Sequence, residues 1–227
     1  HRRAILGAIR RGDGPGGVTT FLGSPSPASR VDDGQRRHIT VLFADVAGYT
    51  TLSERLDPES VHEVMSGCFS LMAERINRYE GTVTHYAGDG LMAVFGSPVA
   101  QEDHAARAAH TALDIQEAMA DYGREVEERT GMPFRVRIAL NTGLVVMTHL
   151  DTDARGRETA IGDTVTLAAR LQALAEAGEV YASERTRRHA GDREFEWAEA
   201  GIRTVRGRSA PVRAYRLVRR HRVPRRW

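Results

Sequence analysis

The segment His38-Ile-Thr-Val-Leu-Phe-Ala-Asp45-Val-Ala-Gly48-Tyr-Thr50 begins as an apolar strand pattern, ends that strand in an acid, and turns at once through glycine and threonine. A second segment, His85-Tyr-Ala-Gly88-Asp89-Gly90-Leu-Met-Ala-Val-Phe-Gly96, reads as a hairpin, with Gly-Asp-Gly between two short apolar runs. Asp45 and Asp89 lie 44 residues apart, yet each is a lone carboxylate at a strand end beside a turn. Carboxylate oxygens hold hard divalent cations, and the backbone N–H groups of such turns cradle phosphate. The pair therefore predicts a metal–triphosphate site. Either aspartate taken alone reads equally well as a turn cap.

Working outward, the pattern alternates. A strand over Ile39–Ala44 is followed by a helix from Pro58 to Tyr79, with Val61, Val64, Met65, Cys68, Phe69, Met72 and Ile76 at helical spacing. Asp57-Pro58 supplies an N-cap and a first-position proline, and Gly81 is expected to end the helix. The hairpin strands are Thr82–Tyr86 and Leu91–Phe95. An alanine-rich helix runs from Gln101 to about Tyr122, then a strand Phe134–Asn141, Gly143, and a second strand Leu144–His149. A polar loop (Asp151 to Arg157), a helix Asp163–Ala175 ended by Gly178, a strand Glu179–Ala182 and a last strand Pro211–Leu217 complete the chain. Strands that pair as a hairpin and return after helices predict an α+β, ferredoxin-like sandwich: a mostly antiparallel sheet covered by helices. Residues 1–37 are rich in Gly, Pro and Ser and read as a short helix (Ala4 to Ile9) plus linker. Residues 38–218 read as the folded domain and 219–227 as a basic tail.

At 227 residues and 41% hydrophobic, the chain can bury a full core. Its 32 basic and 30 acidic residues leave a net charge of only +2, which gives no case for nucleic-acid binding. No lysine is present; every cationic side chain apart from histidine is arginine. The single cysteine, Cys68, excludes an internal disulfide and fits a reducing cytoplasm; it reads as a buried small residue. No long apolar run or signal-peptide pattern occurs. The chain starts at His1 and not at Met, so a regulatory or membrane domain elsewhere in a longer parent chain is an open expectation.

Three motifs in order carry a resemblance. Phe43-Ala-Asp45-Val-Ala-Gly48-Tyr-Thr50, Gly88-Asp89-Gly90-Leu-Met-Ala-Val-Phe-Gly96 and Ile161-Gly162-Asp163-Thr164-Val165-Thr166-Leu167-Ala168-Ala169-Arg170-Leu171 resemble the class III nucleotidyl (adenylate/guanylate) cyclase catalytic domain over roughly residues 38–218. The resemblance implies an enzyme that makes 3′,5′-cyclic AMP and pyrophosphate from ATP with two Mg2+ or Mn2+ ions. It implies a homodimer whose sites are shared across the interface. Asp45 and Asp89 match the metal-binding aspartates. The Val46 carbonyl and the amides of Ala47, Gly48, Tyr49 and Thr50 would complete the metal and phosphate cradle. Arg170 matches the transition-state arginine, one helical turn beyond Thr166; in an arginine-rich chain it also reads as a surface residue.

The chain departs from the family at two places. Thr166 stands where asparagine commonly orients the ribose, and His85 stands where lysine commonly reads the purine. Histidine offers a donor and an acceptor with a shorter reach. Thr159, seven residues before Thr166, resembles the adenylate subset, though an ordinary strand threonine would look the same. Val205-Arg206-Gly207-Arg208 resembles a basic turn that reaches the terminal phosphates, with Arg206 as the candidate. The leading expectation is an adenylate cyclase in which one chain supplies Asp45 and Asp89 and its partner supplies His85, Thr159, Thr166 and Arg170. A degenerate domain that dimerises or binds nucleotide with little turnover, and a cyclase for another nucleotide, are the alternatives.

Overall fold

The computed structural model describes residues 34–149, 158–203 and 211–221. The order is β1 (Gln35–Val46), α1 (Tyr49–Arg55), α2 (Pro58–Arg78), β2 (Thr82–Ala87), β3 (Gly90–Phe95), α3 (His104–Thr130), β4 (Val136–His149), β5 (Glu158–Ile161), α4 (Asp163–Leu174), β6 (Val180–Ser183), α5 (Glu184–Ala190), β7 (Phe195–Arg203) and β8 (Val212–Arg220). The strands form one sheet in the order β2-β3-β1-β4-β6-β8-β7, with β5 added to the far end of β4. The half β2-β3-β1-β4 with its crossover helices is the ferredoxin-like arrangement expected. Only β4–β6 among these pairs is parallel.

Strand alternation divides the core. Leu42, Ala44 and Val46 of β1 face α2 and α3, in a cluster with Met72, Ile76, Phe95 and Ile115. Ile39 and Val41 face the other way, with Met92, Val94, Val145 and Met147, and α4 covers this side through Ala168. Asp45 follows the odd-numbered pattern and so lies on the α4 side of the sheet.

Several elements differ from their sequence reading. The short helix α1 begins inside the expected turn, because Gly48 takes φ 79° and starts a helix where a loop was read. Residues Val136 to His149 form one strand, not two: Gly143 sits inside it because a Cβ there would stand 2.5 Å from the Thr164 hydroxyl. Helix α3 runs on to Thr130 because Gly123 lets the Phe134 carbonyl pass, 2.3 Å from where a Cβ would be, and Val126 is buried beyond it. Helix α5 and strand β7 had no reading; their polar, arginine-rich surfaces mask the few residues that anchor them, Thr186, Ala190 and Phe195. At the end of α2, Glu80 rather than Gly81 takes positive φ (58°); Gly81 is needed for space, since a Cβ would lie 2.5 Å from the Phe95 ring. The Asp57 cap forms as expected, accepting from the Ser60 amide at 2.9 Å.

Candidate active site

Asp45 stands at the end of β1, cross-strand from Gly90 on one side and Arg137 on the other. Glycine at 90 is required by close approach: a Cβ would lie 2.7 Å from the Ala44 carbonyl and 3.3 Å from Asp45 Oδ1. The hairpin turn is tied to the end of β1 by the Val46 amide, which donates to the Asp89 carbonyl at 3.1 Å. Two carboxylates distant in sequence thus share one corner. Burial and the adjoining Asp45 carboxylate push the Asp89 carboxyl above the ordinary range, with Arg137 opposing the rise.

One oxygen of Asp45, Oδ2, accepts three hydrogen bonds: from Arg137 Nε at 3.2 Å, Arg137 Nη2 at 2.9 Å and Gln172 Nε2 at 3.0 Å. Sequence reading singled out neither donor. Arg137 had a usable signal, a charged residue between the apolar Val136 and Ile138 of a strand. Gln172 had none, because only the packing of α4 brings it to β1.

The backbone after β1 enters the site differently from expectation in one respect. The Ala47 amide already donates to the Arg135 carbonyl at 2.9 Å. The amides of Tyr49, Thr50 and Thr51 are the first of α1, whose first helical bond runs from Leu52 to Gly48, so they have no acceptor within the helix. These donors follow Asp45 in the chain by four to six residues.

Two divalent ions, implied by the resemblance, can be tested against this corner. Among the described residues no group of three or more His, Cys, Asp or Glu side chains could hold a metal. Two carboxylates in mutual repulsion are present instead. That donor set fits Mg2+ or Mn2+ bound jointly with phosphate oxygens, which needs only one or two protein carboxylates. Asp45, Asp89 and the Val46 carbonyl are the groups that would hold it.

The remaining residues fall in two places. His85, exposed on β2, is opposite Met92, and so on the same face as Asp45. A register shift between Val83 and His85 sets that orientation. Thr159, half-buried on β5, pairs with Thr148, and β5 contacts β2, so the strands carrying His85 and Thr159 meet. Thr166 and Arg170 share a face of α4, and Thr166 Oγ1 turns back to the Gly162 carbonyl at 3.4 Å. At about 100° per residue, Arg170 points roughly opposite to Gln172, the residue of α4 that touches Asp45. One chain therefore does not bring Arg170 to its own Asp45. Arg206 lies outside the described residues.

Comparisons with known proteins agree with this architecture. The profile of the Adenylate and Guanylate cyclase catalytic domain matches residues 31–219. The chain belongs to this family of class III nucleotidyl cyclase catalytic domains. Adenylate cyclase 1 of Rhizobium meliloti (strain 1021) is 34% identical over 140 residues, 61% of this chain and 21% of that protein. The guanylyl cyclase Cya2 superposes with TM-score 0.77 at 32% identity, covering 85% of this chain and 98% of that one. The adenylyl cyclase CyaB from P. aeruginosa gives 0.77 at 31%, covering 83% and 97%. The chain thus spans a catalytic domain of such solved structures, but only about a fifth of the length of the Rhizobium protein. No helix among the described residues is long and apolar enough to cross a membrane.

Proposed function

We propose that this domain is an adenylate cyclase, converting ATP to 3′,5′-cyclic AMP and pyrophosphate as a homodimer with two shared sites. The observation that carries the reading is the division of labour on α4. Gln172 faces its own chain's Asp45, while Thr166 and Arg170 face away, an arrangement that supports a site completed by the α4 of a second copy. When bound, Mg2+ or Mn2+ would neutralise phosphate charge and lower the pKa of the ribose 3′-hydroxyl. Arg170, with its planar fork of donors, is suited to the charge that grows on the α-phosphate during in-line attack. The open amides of Tyr49 to Thr51 receive phosphate oxygens beside Asp45. Arg206, if it reaches the site, would add charge at the terminal phosphates.

Base selection rests on His85 and Thr159. Neutral histidine can accept from or donate to a purine edge, and threonine can accept from the adenine amino group. Solved relatives of equal structural similarity include one guanylyl and one adenylyl cyclase. The fold alone therefore does not choose the nucleotide, and these two side chains are the reason to favour ATP.

A silent, nucleotide-binding module is the second reading, favoured by the three bonds already held by Asp45 Oδ2 and by the shorter side chains at His85 and Thr166. Against it stands the cost of keeping two carboxylates together without a cation to offset them. The deciding experiment is product analysis with ATP, GTP, CTP and UTP in the presence of Mn2+, with Asp89→Ala as control. Cyclic AMP, lost in the variant, supports the proposal. A different cyclic nucleotide reassigns the base pocket, and no product from a verified dimer favours the silent module.

A further inference from the structure

A polar cavity of about 460 Å3 opens between the first turns of α4 and α5, on a part of the fold that the catalytic reading does not use. Its position follows from the sheet. On one edge of β4, β6 pairs over Ile138–Leu140 and β5 over Val146–His149. The stretch between them has no strand neighbour on that edge. Helix α4 closes part of it: Thr164 Oγ1 donates to the Leu144 carbonyl at 2.7 Å, and Asn141 Nδ2 donates to the Thr164 carbonyl at 2.8 Å. The cavity takes the rest. Its floor carries Asn141, Thr142 and Ser183, all at most 4% exposed.

The walls are cationic. Arg185, Arg188 and His189 come from α5 and Arg213 from β8. Arg185 folds inward, with Nη1 3.3 Å from where a Gly143 Cβ would stand. Of the lining acids, Glu184 is engaged with Arg188 at 3.0 Å, and Asp163 has a partner of its own. Among the described residues Arg185 and Arg213 make no ion pair, whereas the neighbouring Arg187 and Arg216 each have a carboxylate within 2.8 Å. Behind His189 stand two more imidazoles. His38 is 5.1 Å and His104 6.4 Å from its ring, and 5.6 Å from each other. The His189 Nδ1 is held by the Arg185 carbonyl at 2.8 Å, and His104 Nδ1 by the Thr40 hydroxyl at 2.8 Å. Burial, then His189 and Arg185, lowers the His38 pKa; burial, then His38 and His189, brings His104 down to about 4, with only Asp103 opposing. Arg213 also meets the Tyr215 hydroxyl and feels Glu199 and Glu184, yet the lining arginines Arg185, Arg188 and Arg213 outnumber the lining acids Asp163 and Glu184 over a concave, polar floor.

We propose that this cavity is an oxyanion site that takes a phosphate group, gripped by the Arg185 and Arg213 guanidinium forks with Arg188 and His189 at its rim. Guanidinium geometry matches phosphate oxygens edge to edge, and among the described residues no carboxylate is ion-paired with either fork. The consequence for the enzyme runs through α4, whose Thr164 and Leu167 line the cavity while Thr166 and Arg170 of the same helix do not. Occupancy ties the start of that helix to α5.

The test reads the three histidines by NMR in metal-free chain, titrating pH with and without inorganic phosphate at matched ionic strength, and repeating with pyrophosphate. Bound phosphate is expected to raise the titration midpoint of His38 by roughly half a unit, because a nearby opposite charge favours the imidazolium. Arg185→Ala combined with Arg213→Ala should remove the shift, and both side chains are exposed enough that folding should survive. If the double variant does not fold, Arg185→Gln must show the loss. The shift should persist in Arg170→Ala, which separates this cavity from phosphate bound at the catalytic corner. Absence of any phosphate-dependent shift, or a shift that survives the arginine substitutions, overturns the proposal.

Discussion

Asp89→Asn should make the metal-free protein more stable at neutral pH while removing the proposed cyclase activity. Asp45 accepts three hydrogen bonds of 2.9 to 3.2 Å on one oxygen, two of them from the Arg137 guanidinium. Asp89 shares its corner, and its carboxyl is raised by burial and by Asp45. Two unit charges about 4 Å apart repel by roughly 1 to 4 kcal/mol between bulk water and a surface-like dielectric. Arg137 offsets part of this, and solvent reaches both groups, so the net gain on neutralising Asp89 is about 1 kcal/mol. For a domain of this size that corresponds to roughly 2–4 °C in Tm. The sign follows from linkage. A carboxyl whose folded pKa is raised gives stability that is full below its unfolded pKa and is lost as pH rises through the folded value. The variant should therefore gain on the wild type at neutral pH and lose that advantage in acid, below the unfolded carboxyl range. The assay is thermal or urea unfolding with EDTA at fixed protein concentration, at both pH values, then again with Mn2+. Added Mn2+ should stabilise wild type and leave Asp89→Asn nearly unchanged. A variant less stable than wild type in EDTA at neutral pH, or one gaining equally at both pH values, would refute the reasoning.

Further outcomes are expected. Asp45→Ala mixed with Arg170→Ala should recover part of the activity that each lacks alone, since a mixed dimer holds one intact shared site; no recovery in verified mixed dimers counts against the division on α4. His85→Lys with Thr166→Asn should raise turnover with ATP by supplying the longer donors, and steady-state rates that fall instead would show that these side chains form a working solution of their own. Gly90→Ala should cost roughly 1–3 kcal/mol of stability, because the added methyl meets the Ala44 backbone carbonyl and no flexible side chain can yield; urea unfolding measures it. Thr40→Val should cost about 1–3 kcal/mol, since it strips hydrogen bonds from buried His104 and Thr142, 2.8 and 2.7 Å from its hydroxyl.

The sequence by itself determined the elements whose signals are local. The apolar strand ending in Asp45, the Gly88-Asp89-Gly90 hairpin and the Asp57-Pro58 helix start each depend on neighbours in the chain, so each was legible, and with them the ferredoxin-like order and the family. Arg170 and Thr166 were singled out by the family resemblance, and helical spacing puts the two on one face. What only the tertiary structure decided depends on contacts between distant segments. Gln172 reaches Asp45 across 127 residues, and Arg137 meets it across 92, because sheet register and helix packing bring them there. The continuity of β4 through Gly143 required knowing that Thr164 fills the missing Cβ space. Helix α5 and strand β7 are held by a few buried residues under an arginine-rich surface, a pattern too sparse to give a period. Three histidines from β1, α3 and α5 looked unrelated in sequence, since no spacing connects residues whose proximity is set by how two helices close over one strand.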